Sequence, residues 1–226
     1  MKRIMMLGAL LSLSTLSFAD TDATTDRLEM AGTALHEIMA APDKGIPEEV
    51  MDHAKCIAVV PHMVKGGFIF GAQGGRGVAT CRTPDGWSAP AFFAITGGSW
   101  GLQIGVEGVD LVMIVQSDKG MQRLLASKFQ IGADASAAAG PVGRHASADT
   151  DWKMNAEILT YSRAKGIFAG LDLSGSAIRR DDDSMKTVYG SDVSTREVLA
   201  GKVPPPSVAQ PFLDAVRGAK REAASR

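Results

Sequence analysis

The sequence predicts an α+β protein: a glycine-rich antiparallel β-core, barrel-like or sandwiched, with an N-terminal amphipathic helical arm and short flanking helices. Between Lys65 and Gly108 stand 12 of the chain's 25 glycines, interleaved with Phe68, Phe70, Trp87, Phe92, Phe93 and Trp100. Apolar residues in that stretch alternate as strands do, whereas Leu28, Ala31, Leu35, Ile38 and Met39 ahead of it recur at helical spacing. Glycine weakens a strand interior, so its repeated use marks bulges, sharp coiling or close approach of another backbone.

The bulk numbers bound the rest. With 226 residues, 45% of them hydrophobic, the chain can build one good core. Lys2 and Arg3 precede an apolar run from Ile4 to Leu16 and a Ser17-Phe18-Ala19 ending, which has the form of a secretory signal peptide. The run is short for a membrane span, and no cysteine follows it to carry a lipid anchor. The expected organisation is a signal peptide over 1–19, a helical arm over 20–45, a β-rich domain over 46–190 and a linker, helix and tail over 191–226. Export to the periplasm or cell envelope, or secretion, follows from that reading.

The whole chain carries 24 basic and 25 acidic residues; without Lys2 and Arg3 the basic count falls to 22 and the formal charge moves from -1 to -3. Such a chain has no global attraction for nucleic acid, and an anionic partner must be met by a local patch. Cys56 and Cys81 are the only cysteines, and export would permit a disulfide between them. Two reduced core thiols are the other reading, because spacing alone does not bring two Cα atoms into bonding range. No metal site and no cofactor are expected from this residue set.

Asp26 and Glu29 form a helix-start signal ahead of Leu28, Ala31, Leu35, Ile38 and Met39, which predicts a helix ending before Pro42. Pro47, Glu48 and Glu49 open a second, short helix. Strands follow over Ile57–Val60, stopped by Pro61, then Gly67–Gln73 and Gly77–Arg82, joined by tight glycine turns. Pro84-Asp85-Gly86 turns the chain into a strand from Trp87 to Thr96. From Trp100 the alternation resumes, with Leu102, Ile104 and Val106 on one face, and Leu111–Val115 reads as a strand buried on both faces.

Asp118 caps a helix closed by Phe129, and the Ala/Gly/Ser stretch from Gly132 to Gly143 is expected to pack tightly rather than act as a linker. Strands are expected over Ala156–Ser162 and Gly166–Ile178, and a short helix over Asp181–Tyr189. Pro204-Pro205-Pro206 is a stiff connector. Pro211 opens a last helix with Phe212, Leu213 and Val216 inward, and the charged tail beyond Gly218 is expected to fray.

Catalytic signals are thin. Gly97-Gly98-Ser99-Trp100-Gly101 matches the spacing of a serine-hydrolase nucleophile elbow, and Asp110, Asp118 and His145 follow in triad order. The elbow needs a helix after the serine, and period-two residues follow instead, so a hairpin turn is preferred and the chain is read as no enzyme. Gly71 to Gly77 lacks the Lys-Ser/Thr ending of a nucleotide loop and opens no helix. Asp181-Asp182-Asp183 lacks the alternating spacing of a calcium loop and fits a helix start. The stripe of Leu28, Leu35, Ile38 and Met39 could face a membrane surface. Arg27 stands there against Asp26, Glu29 and Glu37, however, and packing on the chain's own core is favoured.

Eight strings occur in order: Lys65-Gly66-Gly67-Phe68, Gly74-Gly75-Arg76-Gly77, Gly86-Trp87-Ser88-Ala89-Pro90, Gly98 to Gly105, Asp110 to Val115, Ala139 to Arg144, Tyr161 to Gly170, and Tyr189-Gly190. Together they resemble the SYLF domain family, from about Ile46 to Gly190. The resemblance implies a lipid-binding module. Eukaryotic members bind phosphoinositides through a helix ahead of the domain, a yeast branch is described as actin-binding, and bacterial members are exported single-domain proteins. The corresponding helix here, Asp26 to Ala41, departs from that pattern in being acidic on balance.

The expected function is therefore non-enzymatic binding of anionic phospholipid or phosphoinositide-like headgroups, with Lys65, Arg76 and Lys165 beside glycine turns as the headgroup candidates. The alternative is an envelope scaffold that binds another protein or a polymer through aromatics such as Trp87 or Trp100.

Overall fold

In the computed structural model, which describes residues 16–41, 45–67, 70–100, 105–126, 128–142, 156–164, 167–168, 173–190 and 193–224, the strands join into one ten-stranded sheet. Helices α1 (Leu16–Met39) and α2 (Glu48–His53) precede β1 (Cys56–Gly67), β2 (Phe70–Thr83), β3 (Gly86–Trp87), β4 (Ala91–Trp100) and β5 (Gly105–Val115). Then come α3 (Asp118–Leu124), β6 (Lys128–Gln130), β7 (Ala137–Ala139), β8 (Ile158–Ala164), β9 (Ile167–Phe168) and β10 (Ala177–Arg180). Helices α4 (Asp182–Tyr189) and α5 (Thr195–Leu199), a 3-10 turn (Ser207–Ala209) and α6 (Gln210–Ala224) complete the chain.

The sheet order is β6-β10-β4-β2-β1-β5-β8-β7, with β3 on β2 and β9 on β8, and it curls into a half-barrel. Every pairing is antiparallel except β7 with β8. The α+β class thus stands, with a single mixed sheet as its core.

Helix α1 lies across one sheet face and also packs against α4 and α6. Its inward stripe is complete: Leu28, Leu35, Ile38 and Met39 are fully buried. Opposed residues of paired strands share a face, and this face also carries Val78 and Phe92. The other face carries Ala79, Phe93 and Ile178, which are covered by Leu124 of α3 and by Thr195 and Leu199 of α5. Side chains at Val59, Val60, Val78 and Ala79 are buried whichever way they point, which is why these strands read as apolar runs.

Four boundaries differ from expectation. Pro61 does not end β1. The strand passes through it with one extra residue, its register shifting between Val59 and Val64 against β2 and between Val60 and Met63 against β5. A bulge tolerates the missing proline donor, and His62 takes φ 49 there while its N–H donates to Asp110 Oδ1 at 2.9 Å. Second, Gly74-Gly75-Arg76-Gly77 is the middle of one continuous strand rather than a turn. Glycine is required because the β1 bulge leans on β2: a Cβ at Gly75 would stand 2.6 Å from Val60 Cγ1, and one at Gly77 would stand 2.5 Å from the Val59 carbonyl oxygen.

Third, α1 begins ten residues before Asp26, at Leu16, and Thr24 ahead of that local start signal is already buried. Fourth, α6 runs beyond Gly218 to Ala224, held by buried Ala219 and Ala223 and by His36 of α1 lying 3.3 Å from Glu222. The hairpin turn expected at Gly97 to Ser99 is likewise strand, since β4 extends to Trp100. The alternating residues Leu102 and Ile104 lie outside the described residues.

The small-residue segment from Gly132, described through Val142, is not the tightly packed element expected: only Ala135 is buried in it, Ala138 and Ala139 are exposed and Val142 is 41% exposed, because β7 is an edge strand that pairs with β8 alone. Ala137–Ala139 forms β7, and a Cβ at Gly140 would strike the Tyr161 ring at 2.2 Å. Gly77→Ala is expected to cost about 2–3 kcal/mol, since the added methyl meets backbone rather than a flexible side chain. Chemical denaturation of the purified variant checks this.

Cys56 and Cys81 are directly opposed on β1 and β2 and form a disulfide, both residues fully buried. The bond closes a loop of sequence separation 25, so the double substitution Cys56→Ser/Cys81→Ser is expected to lower stability by about 3–4 kcal/mol. Denaturation with and without reductant measures it.

The chain's two tyrosines supply a built-in alkaline probe. Burial pushes the hydroxyls of Tyr161 and Tyr189 well above their ordinary value, and Tyr189 donates its hydrogen bond to the Pro90 carbonyl. A raised folded-state value means that the stabilisation is full below the unfolded value, about pH 10, and is lost as pH rises above it. Tyrosinate absorbance is therefore expected to appear only together with alkaline unfolding, followed by circular dichroism. Absorbance rising first, in a still-folded protein, would contradict this.

Candidate functional site

At one end of the sheet, register brings together the β1–β2 hairpin and the ends of β4 and β5, which lie on either side of that hairpin: Gly67 opposes both Gly71 and Gly105, and Phe70 opposes Trp100. Neither the β1–β2 hairpin nor the β4-to-β5 crossover carries a formal charge there, since residues 66–75 and 89–106 contain no Asp, Glu, Lys or Arg. The face there is small and open: Val64 is 52% exposed, and Ala72, Thr96, Gly98 and Gly108 are exposed beside it. Lys65 flanks this end, directly opposed to Gln73 on one side and Glu107 on the other.

The structure does not gather the three expected cations into one pocket. Arg76 is a mid-strand residue on the α1 face, its guanidinium 3.7 Å from Asp181. Lys65 shares its face with Gln73, three residues from Arg76 on a regular strand, so Lys65 and Arg76 project from opposite faces. Lys165 lies outside the described residues. Of the aromatics proposed for scaffolding, Trp87 is half-buried against the core with the Arg82 guanidinium 4.7 Å over its ring. Trp100 is placed here by its backbone alone.

Ser99 lies within β4 opposite Gly71, and the next described element is β5, so no strand-to-helix elbow forms. Asp110 accepts from the His62 backbone, Asp118 pairs with Lys55 at 3.2 Å, and His145 lies outside the described residues. Among the described residues no group of three His, Cys, Asp or Glu side chains is arranged to hold a metal.

Sequence reading missed a buried charged cluster. Arg27 Nη1 donates to Asp181 Oδ2 at 2.9 Å and to Ser184 Oγ at 3.0 Å, and its guanidinium stands 5.7 Å from the Phe92 ring centroid. Asp181 also caps α4 by accepting from Ser184 N–H. The Asp181-Asp182-Asp183 run is a helix start, as expected, but its first member is buried while Asp182 and Asp183 are exposed. The signal was present at Arg27, which stands on the same helical stripe as Ala31 and Leu35 and so points inward.

Fold and site together define an α+β module on one curled sheet, with no catalytic constellation assembled among its described residues. The chain belongs to the Ysc84 family, the SYLF-domain family: residues 96–219 match the Ysc84 profile, described as "Las17-binding protein actin regulator". It is 35% identical over 171 residues to SH3 domain-containing YSC84-like protein 1 of Rattus norvegicus, covering 75% of this chain and 50% of that protein. It is likewise 35% identical over 177 residues to Protein YSC84 of Saccharomyces cerevisiae, covering 76% of this chain and 37% of the relative. LAS seventeen-binding protein 3 of the same yeast is 34% identical over 176 residues, at 75% and 38% coverage. The chain spans half or less of the length of these relatives.

Proposed function

We propose that this chain is a non-enzymatic, exported lipid-binding module that meets an anionic membrane surface with the uncharged end of its sheet. The observation that carries the reading is the meeting of the charge-free β1–β2 hairpin with the charge-free, aromatic-bearing end of β4, with Lys65 at their flank. A charge-free apolar end enters the interfacial layer at little desolvation cost, while a flanking ammonium meets headgroup phosphate. The basic, apolar leader from Lys2 to Ala19 supports delivery to the periplasm or envelope. The apolar stripe of α1 is spent on the core, so α1 is not the membrane element on this reading.

Co-sedimentation of the chain with neutral and anionic liposomes at low and high salt tests it. Pelleting is expected to rise with anionic lipid and to fall several-fold in Lys65→Glu, at a half-buried position of central strand β1, and in Val64→Asp, at an exposed one, with circular dichroism checking that each variant folds. Pelleting that is indifferent to anionic lipid, or unchanged in both variants, refutes the assignment.

A further inference from the structure

We infer that the cleft between α1 and the β1 bulge is a docking site for a basic amphipathic segment of a partner protein. The cleft measures about 430 Å³, within the ordinary range for binding clefts. Asp26, Glu29, Met30 and Glu37 line it from α1, and His62 and Asp110 line it from the sheet. Its α1 residues span eleven positions, about 16 Å of helix, so its acidic groups form a row rather than a cage.

Charge decides what such a row takes. At one end the Glu37 carboxylate is already paired, 2.7 Å from the guanidinium of Arg163. Asp110 is engaged by His62 through the backbone N–H at 2.9 Å and lies 3.7 Å from Nδ1 of its ring. Asp26 and Glu29 pair with no cation among the described residues, which leaves the middle of the cleft negative.

Between these carboxylates sits Met30, 39% exposed and one of three large hydrophobic side chains exposed among the described residues. A lone metal ion has no use for a spaced row with an apolar seat. A peptide segment does, placing Lys or Arg beside Asp26 and Glu29 and an apolar side chain on the adaptable thioether of Met30. This cleft borders Val64, two residues beyond His62, but shares no lining residue with the surface proposed for lipid.

Fluorescence anisotropy with a labelled amphipathic Lys/Leu peptide, and with its Glu/Leu counterpart, tests the site on the full chain. The Lys/Leu peptide is expected to bind and the Glu/Leu peptide not to bind. The pair Asp26→Asn/Glu29→Gln should weaken binding about tenfold, and Met30→Ser should weaken it several-fold. Neutralising the exposed carboxylates Asp182 and Asp183 on α4 serves as the control and should change little. Equal binding of both peptides, or equal weakening by the control pair, overturns the site. Displacement by spermine as effective as by unlabelled peptide would show that charge alone is read, and would overturn the segment as occupant. Circular dichroism of each variant separates lost binding from lost fold.

Discussion

Deleting residues 16–41 is expected to unfold the protein rather than free a membrane arm. Leu28, Leu35, Ile38 and Met39 are fully buried between the sheet and helices α4 and α6. At about 1.5–3 kcal/mol for each fully buried side chain, these four contribute about 6–12 kcal/mol, comparable with the whole stability of a typical domain. The truncated chain should lose cooperative thermal unfolding and near-ultraviolet dichroism. A truncated chain that still melts cooperatively would show that α1 is an appendage, and would return its apolar stripe to the list of membrane-binding surfaces.

Asp181→Ala is the point substitution with the largest expected effect, a loss of about 3–5 kcal/mol. The cost arises on the partner: Arg27 keeps its charge in a site that is 7% exposed, with Ser184 and the Phe92 ring left to receive it. Arg76 does not rescue it, being half-exposed and 3.7 Å from the carboxylate, so Arg76→Ala should cost under about 1 kcal/mol. Removing both charges by Arg27→Met/Asp181→Leu should recover part of the loss, because no buried ion then remains unpaired. Urea denaturation of the three variants reads the comparison. A double variant as unstable as Asp181→Ala would locate the effect in packing and capping instead of charge.

Local pattern revealed element types better than element ends. The strands of the glycine-rich stretch, the Asp181 helix start and the inward stripe of α1 are legible, because each depends on spacing within a few residues; the cap expected at Asp118 is Ser117, the helix ends at Leu124 with Phe129 already in β6, and the one strand expected over Gly166–Ile178 is two short ones, β9 and β10, with a turn between. Pro61 and Gly74-Gly75-Arg76-Gly77 misled for one shared reason. Each is a turn signal locally, yet each serves a contact between β1 and β2 that no window along the chain contains. The Arg27–Asp181 pair spans 154 residues and was invisible for the same reason. Of the surface proposed for membrane contact, only Lys65 was singled out for that role from the sequence; the charge-free stretches beside it stand there too, unremarked because a lack of charge forms no motif. The geometry of that surface was not legible, because only register places Phe70 against Trp100 and sends Lys65 and Arg76 to opposite faces.

The extra residue in β1 acts as a parity switch. Before it, Val59 shares a face with Val78; after it, Val64 shares that same face with Gly74, so odd positions give way to even ones. Excising His62 would restore odd parity along the whole strand, carrying Lys65 round to the side of Arg76 and turning Val64 to the other. Two cations now held apart would stand on one surface. Within this architecture an insertion or deletion of one residue, rather than any exchange of side chains, is the shortest mutational route to a differently charged sheet end.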